Sequence, residues 1–159
     1  MEAFLDIETT GLFPNSDEIT VIGIFFANGA HNKFVQLVGE RITPENLLES
    51  LRGVSIIYTY NGSRFDLPFI QRRLGVDLAT MFDHCDLMYS CCDNDLYGGL
   101  KGVEKQLNIP RHLKDINGYE AVRLWWRYVN SYDDKALKLL LDYNKEDVVN
   151  LKTLRDRLI

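Results

Sequence analysis

The chain has 159 residues, 46% hydrophobic and 26% charged, with a formal charge of -5, the balance of an ordinary globular protein long enough to bury a substantial core. No apolar run approaches the roughly 20 residues that span a bilayer, and the opening MEAFLDIETT lacks the basic-then-apolar pattern of a secretory signal, so a cytoplasmic protein that does not enter a membrane is expected. The acidic balance speaks against a broad basic nucleic-acid face, and Cys85, Cys91 and Cys92, without C-x-x-C spacing, speak against a zinc cluster.

Residues 3–8 end in alternating apolar and acidic residues and predict a strand. A turn over 11–15 leads to 19–26, rich in β-branched and aromatic residues, read as a central strand. Asn28-Gly29 is a hairpin signal, so 33–38 is expected to return antiparallel. Thr43 and Pro44 mark the N-cap and first position of a helix reaching about Arg52. Residues 54–60 form another apolar strand candidate. After Asn61-Gly62 the pattern turns helical to about Leu74, with Pro68 tolerated near the first turn. Residues 82–87 suggest a short strand. The remainder reads as helical apart from loops around Pro110 and Asn117-Gly118, with a break expected before Tyr143 in the last stretch, 133–158. The order is α/β, the hairpin makes the sheet mixed, and no linker or repeat divides the chain, so one domain is expected over residues 1–159.

Asp6 and Glu8 are two residues apart and share one face of a strand. Side by side they repel unless a cation lies between them; the alternative is an exposed strand end with two solvated acids. Asp66 follows the apolar run 54–60, where ligand groups gather in open α/β sheets. An acid there also serves to cap a helix or complement its dipole. Tyr143 and Asp147 lie one turn apart on a helix face, beside Leu139, Leu140, Val148 and Leu151, while Glu146 points elsewhere. Carboxylate oxygens suit Mg²⁺ or Mn²⁺ rather than zinc. Two such cations about 3.5–4 Å apart stabilise both the attacking and the leaving oxygen of a phosphodiester displacement. Tyr143, with a reference pKa near 10, is a poor unaided base at neutral pH and is assigned to positioning the nucleophile.

The segment Asp6-Ile7-Glu8-Thr9-Thr10-Gly11-Leu12 resembles the first motif of the DnaQ-like, or DEDD, 3′–5′ exonucleases. Residues 61–66 resemble the second motif, and 143–147 the third in its tyrosine (DEDDy) form, in the family's order. Residues 98–105, 120–128 and 143–151 are similar to the YprB-type ribonuclease-H-like exonuclease branch, so the resemblance covers essentially the whole chain. It implies a ribonuclease-H-like fold, with a mixed central sheet of about five strands, one of them antiparallel, flanked by helices. It also implies a metal-dependent exonuclease acting at the 3′ end of single-stranded DNA or RNA. Asp6, Glu8, Asp66 and Asp147 would hold two divalent cations, Mg²⁺ or Mn²⁺, and Tyr143 would position the attacking water.

In the histidine form of the third motif a histidine stands where this chain has Asp142, and His31, His84 and His112 are remote from the motifs, so none is given a role. Thr9, Thr10 and Leu12 resemble contacts to the terminal nucleotide. Asn61 orders its loop or reaches the substrate; Phe65 stacks on a base or joins the core. At least one of Trp125 and Trp126 is expected to be buried. Arg64, Arg72, Arg73 and Lys101, and separately Arg111, His112 and Lys114, are phosphate contacts or plain surface charge. The modest basic content predicts a short footprint on nucleic acid. The alternatives are a non-cleaving nucleic-acid-binding module and a phosphodiesterase acting on nucleotides or very short oligonucleotides. A further domain or a separate recognition subunit is compatible with each.

Overall fold

The computed structural model describes residues 1–158. Its centre is a five-stranded sheet of β1 (Glu2–Thr9), β2 (Ile19–Asn28), β3 (His31–Val38), β4 (Ile56–Thr59) and β5 (Asp83–Asp86) in the order β3-β2-β1-β4-β5. β2 is antiparallel to both β1 and β3, while β1, β4 and β5 are parallel. β2 is thus the one strand that opposes the rest. The hairpin closes as expected, Asn28 pairing with His31 across a two-residue loop. The parallel strands require crossovers, supplied by the helices between them. α1 (Pro44–Ser50) precedes β4; α2 (Asp66–Leu74) and α3 (Leu78–Met81) connect β4 to β5. Thr43 caps α1, accepting from Asn46 N at 3.0 Å, with Pro44 at the first position. The chain then continues through α4 (Leu87–Asp93), α5 (Leu100–Gln106), α6 (Gly118–Ser131) and α7 (Asp134–Leu158).

Strand alternation divides β1 between two cores. Leu5 and Ile7 join Ile22, Ile24 and Ile57 in a cluster covered by Leu47, Leu67, Phe69 and Ile70 from α1 and α2. Phe4 faces the other way and packs with Leu87, Val103, Val148, Leu151 and Leu154 of α4, α5 and α7. The period of two carries Asp6 and Glu8 to this second face. Along it the strand passes from core (Phe4) to two acids at its C-terminal end.

α7 runs unbroken for 25 residues, contrary to the expected break before Tyr143. It contains no proline or glycine. Its buried positions Ala136, Leu140, Tyr143, Asn144, Asp147, Val148, Leu151 and Leu154 repeat at helical spacing. Tyr143, Asn144 and Asp147 are a polar patch inside the buried stripe, not an interruption of it. Among the tryptophans, Trp125 packs partly buried against a third cluster around Leu124 and Leu140, while Trp126 is exposed. No helix among the described residues is long and apolar enough to cross a membrane.

Candidate active site

The C-terminal ends of β1, β4 and β5 converge on one edge of the sheet, where crevices form in open α/β folds. α7 packs against β1 and β2 and brings Asp147 to the end of β1. One carboxylate oxygen from each of Asp6, Glu8 and Asp147 lies within 4.8 Å of the others. Glu8 and Asp147 are buried and Asp6 partly so. A bulge directly after Glu8 breaks the β1–β2 register, so the acids occupy the last regular positions of the strand.

Asp66, also buried, stands beside this trio. α2 has no side-chain cap; instead Asp66 Oδ2 accepts the Ile7 N–H across the fold at 3.0 Å. β4 pairs with β1 only as far as Phe4, so Ile7 lies beyond the β4 ladder and the carboxylate takes the place of a strand partner. The loop before Asp66 is set by Asp86 at the end of β5, which accepts from Asn61 N at 2.8 Å, Ser63 N at 3.1 Å and Met88 N at 3.1 Å, and from the Ser63 hydroxyl. Asn61 therefore orders the loop through its backbone, in a left-handed conformation (φ 60).

Burial and then mutual repulsion raise the acids. Asp6 is held well above the usual carboxylate range by burial and by Glu8, Asp147 and Asp66; Glu8 is likewise raised by burial and by Asp147. Burial lifts Asp66 to about 7 against the Ile7 N–H, and Asp147 to about 6 against Arg111. Tyr143 is buried, and burial, Asp147, Glu8 and Asp6 push its hydroxyl well above the ordinary tyrosine value. Such a cluster disfavours its own negative charge and favours a cation at its centre. All of its donors are hard oxygens, which fits Mg²⁺ or Mn²⁺.

Two polar residues that hold the acids were not anticipated. Asn144, fully buried, donates through Nδ2 to the carbonyl and to Oδ2 of Asp6, both at 3.3 Å, while its Oδ1 accepts from Gln36 Nε2 at 2.9 Å. Arg111, expected as a phosphate contact or plain surface charge, is instead 7% exposed and ion-paired to Asp147 at 2.6 Å and to Glu104 at 2.7 Å. It is therefore withdrawn from solvent, whereas His112 and Lys114 are exposed. Glu146 turns away as expected, accepting from His112 N and Leu113 N, each at 2.8 Å. The signal for Asn144 lies in the sequence, four residues from both Leu140 and Val148 on the buried stripe.

The remaining predicted residues divide between loop and core. Thr9 donates to Gly11 O at 2.6 Å, and Thr10 bonds Asp17 and Glu18 N. Both hydroxyls are engaged within the loop. At its tip Leu12 and Phe13 are 73% and 67% exposed. Phe65 packs against Phe69 and the first core, ring centroids 5.5 Å apart. Lys101 lies over the Tyr143 ring, 4.9 Å from its centroid, and donates to Ile116 O. Arg72 and Arg73 occupy the last turn of α2, at the opposite end from Asp66. A cleft of ≈ 320 Å³ opens here, lined by Asp6, Tyr60, Lys101, Asn117, Tyr143 and Asp147 among others.

The fold is a ribonuclease-H-like architecture with a cluster of acids at the ends of its parallel strands. The RNase_H superfamily model matches residues 3–159, and the chain belongs to that superfamily. It is 29% identical over 112 residues to YprB of Bacillus subtilis (strain 168), covering 64% of this chain and 27% of YprB, so it spans about a quarter of that relative. Among solved structures it is similar to the family B DNA polymerase of Pyrobaculum calidifontis (TM-score 0.77, 18% identity, covering 99% of this chain and 24% of the polymerase). It is also similar to Brucella melitensis NrnC bound to pGG (TM-score 0.66, 19% identity, 99% and 71% covered) and with bound Mg²⁺ (TM-score 0.63, 18% identity, 99% and 71% covered).

Proposed function

We propose that the chain is a 3′–5′ exonuclease of the DEDDy type, hydrolysing phosphodiester bonds at the 3′ end of single-stranded nucleic acid with two divalent cations. The observation that carries this reading is the convergence of Asp6, Glu8 and Asp147 oxygens within 4.8 Å. They come from two ends of the chain and meet where burial disfavours their charge. Bound divalent cations supply positive charge to the reacting phosphate and make water a nucleophile near neutral pH.

The chain's own residues hold and orient. Asp6, Glu8 and Asp147 offer ligand oxygens from opposite sides of the cleft, and Asp66 completes the set from the start of α2. Tyr143, held protonated by burial and by the neighbouring carboxylates, donates a hydrogen bond that orients the attacking water and does not serve as its base. Lys101 over its ring restrains the tyrosine. Thr9 and Thr10 shape the loop that displays Leu12 and Phe13 to a terminal base, and Asn61 and Phe65 support Asp66 from behind.

A second reading draws on the size of the cleft, ≈ 320 Å³, on the formal charge of -5, and on NrnC having been solved with pGG. It keeps the chemistry and restricts the substrate to very short oligonucleotides. Incubating a 5′-labelled long single strand and a 5′-labelled dinucleotide with Mn²⁺ separates the two. Stepwise shortening of the long strand supports the exonuclease; cleavage of the dinucleotide alone supports the second reading. Binding of both without cleavage of either overturns both in favour of a non-cleaving module.

A further inference from the structure

Arg111 sits among three acids, Glu104 and Asp147 in direct contact and Glu146 3.9 Å from its Nη1, in a buried network that the proposed chemistry does not require. Its Nε and Nη2 donate to Glu104 Oε1 and Oε2 at 2.7 and 3.0 Å, and the same Nη2 lies 2.6 Å from Asp147 Oδ1. Glu104 is 2% exposed and also accepts from Asn150 Nδ2 at 2.6 Å. The segment carrying Arg111 is tied to α7 on both sides: Asn150 donates to Pro110 O at 3.3 Å, and Glu146 receives His112 N and Leu113 N. Asn150, Asp147 and Glu146, within two turns of one helix, thus fix residues 110–113 before, at and after the arginine.

A buried ion pair is a poor source of stability, because apolar residues of equal volume in its place are often neutral or better. What this network supplies is direction. The planar guanidinium, clamped bidentately by Glu104, takes one oxygen of Asp147. That pins Oδ1 and limits rotation about the Asp147 side-chain bond, so the carboxylate meets Asp6 and Glu8 in a restricted orientation. Outer partners of this kind set metal affinity through ligand orientation.

We infer that Arg111, held by Glu104, is the positioning residue for Asp147 at the candidate metal centre. The inference rests on the metal-binding reading above. It also withdraws Arg111 from the residues that contact the substrate.

The test uses Mn²⁺ alone, titrated calorimetrically into the purified chain without substrate. In the double variant Glu104→Gln/Arg111→Met one negative and one positive charge are lost together, so the net charge is unchanged while the clamp on Asp147 is removed. The expected result is a folded protein whose Mn²⁺ dissociation constant rises roughly ten- to a hundredfold. A folded double variant that binds Mn²⁺ within about twofold of the parent overturns the inference, since a structural pair alone leaves affinity intact. If the double variant does not fold, Arg111→Lys decides: one ammonium does not span both carboxylates in the fork geometry, and unchanged affinity there overturns the inference. Absence of Mn²⁺ binding by the parent chain is a different outcome, which removes the metal-binding reading and this inference with it.

Discussion

Asn144 Nδ2 lies 3.3 Å from both the backbone carbonyl and the Oδ2 of Asp6, and it reaches them by lying directly over Gly23. The register explains why. Asp6 pairs with Gly23 across β1–β2, and Gly23 with Gln36 across β2–β3. Asn144 bridges the two outer members of that row, accepting from Gln36 and donating to Asp6. A Cβ at position 23 would stand 2.1 Å from Asn144 Oδ1. The strand gives up a side chain there so that α7 can hold an acid of β1.

Gly23→Ala is therefore expected to cost about 1–3 kcal/mol through overpacking and to weaken Mn²⁺ binding by disturbing Asp6. Combined with Asn144→Ala, which removes the closest contact and leaves Val148 Cγ2 at 3.0 Å, the same substitution is expected to cost less than in the parent, a coupling that a double-mutant cycle of urea unfolding measures. Equal costs in both backgrounds would show that the two residues do not share the site.

Asp86 supports Asp66 at one remove. Its carboxylate accepts three backbone N–H groups, two of them from the loop leading to α2. Asp86→Ala strands those donors in a partly buried place and is expected to cost about 2–4 kcal/mol, with activity falling further than stability. Asp86→Asn keeps an acceptor oxygen and is expected to recover part of both. Chemical denaturation beside an activity assay reports the two effects.

Stability without metal should depend on pH in a definite direction. The raised carboxylates favour the folded chain while protonated: their contribution is full below the unfolded value near 4 and is lost as pH rises through the folded values, about 6 for Asp147 and about 7 for Asp66. In EDTA the melting temperature is expected to fall by roughly 5 °C or more between about pH 5 and about pH 8. Excess Mg²⁺ should restore it at the upper end and do little at the lower, because binding requires the ionised acids. A flat profile in EDTA would mean that neither burial nor repulsion raises these carboxylates in the folded chain.

Tyr143→Phe retains the ring that packs under Lys101 and removes only the hydroxyl. Stability is expected to change by less than about 1 kcal/mol, while the single-turnover cleavage rate falls roughly ten- to a hundredfold. An unchanged rate would leave Tyr143 as a packing residue alone.

Most of this architecture is legible in the sequence because periodicity and turn chemistry are local. The alternation through Leu5-Asp6-Ile7-Glu8 places the acids on one strand face, and Asn28-Gly29 and Thr43-Pro44 mark a hairpin and a helix start where both occur. Legibility fails where a polar residue is buried by a distant partner. The break expected before Tyr143 is absent, and nothing in the local sequence shows that Gly23 leaves room for a buried Asn144 there. Arg111 resembled a surface cation beside His112 and Lys114, because its partners Glu104 and Asp147 lie 7 and 36 residues away. The Thr9 and Thr10 hydroxyls close their own loop, a local arrangement that the motif alone does not reveal.

The most direct measurement is Mn²⁺-dependent digestion of 5′-labelled single-stranded RNA and DNA by the parent chain beside Asp147→Asn, with folding of both checked by circular dichroism. A ladder shortening from the 3′ end is expected, abolished by EDTA and reduced at least about a hundredfold in the variant. Cleavage that persists in EDTA, or proceeds undiminished in the folded variant, would contradict it.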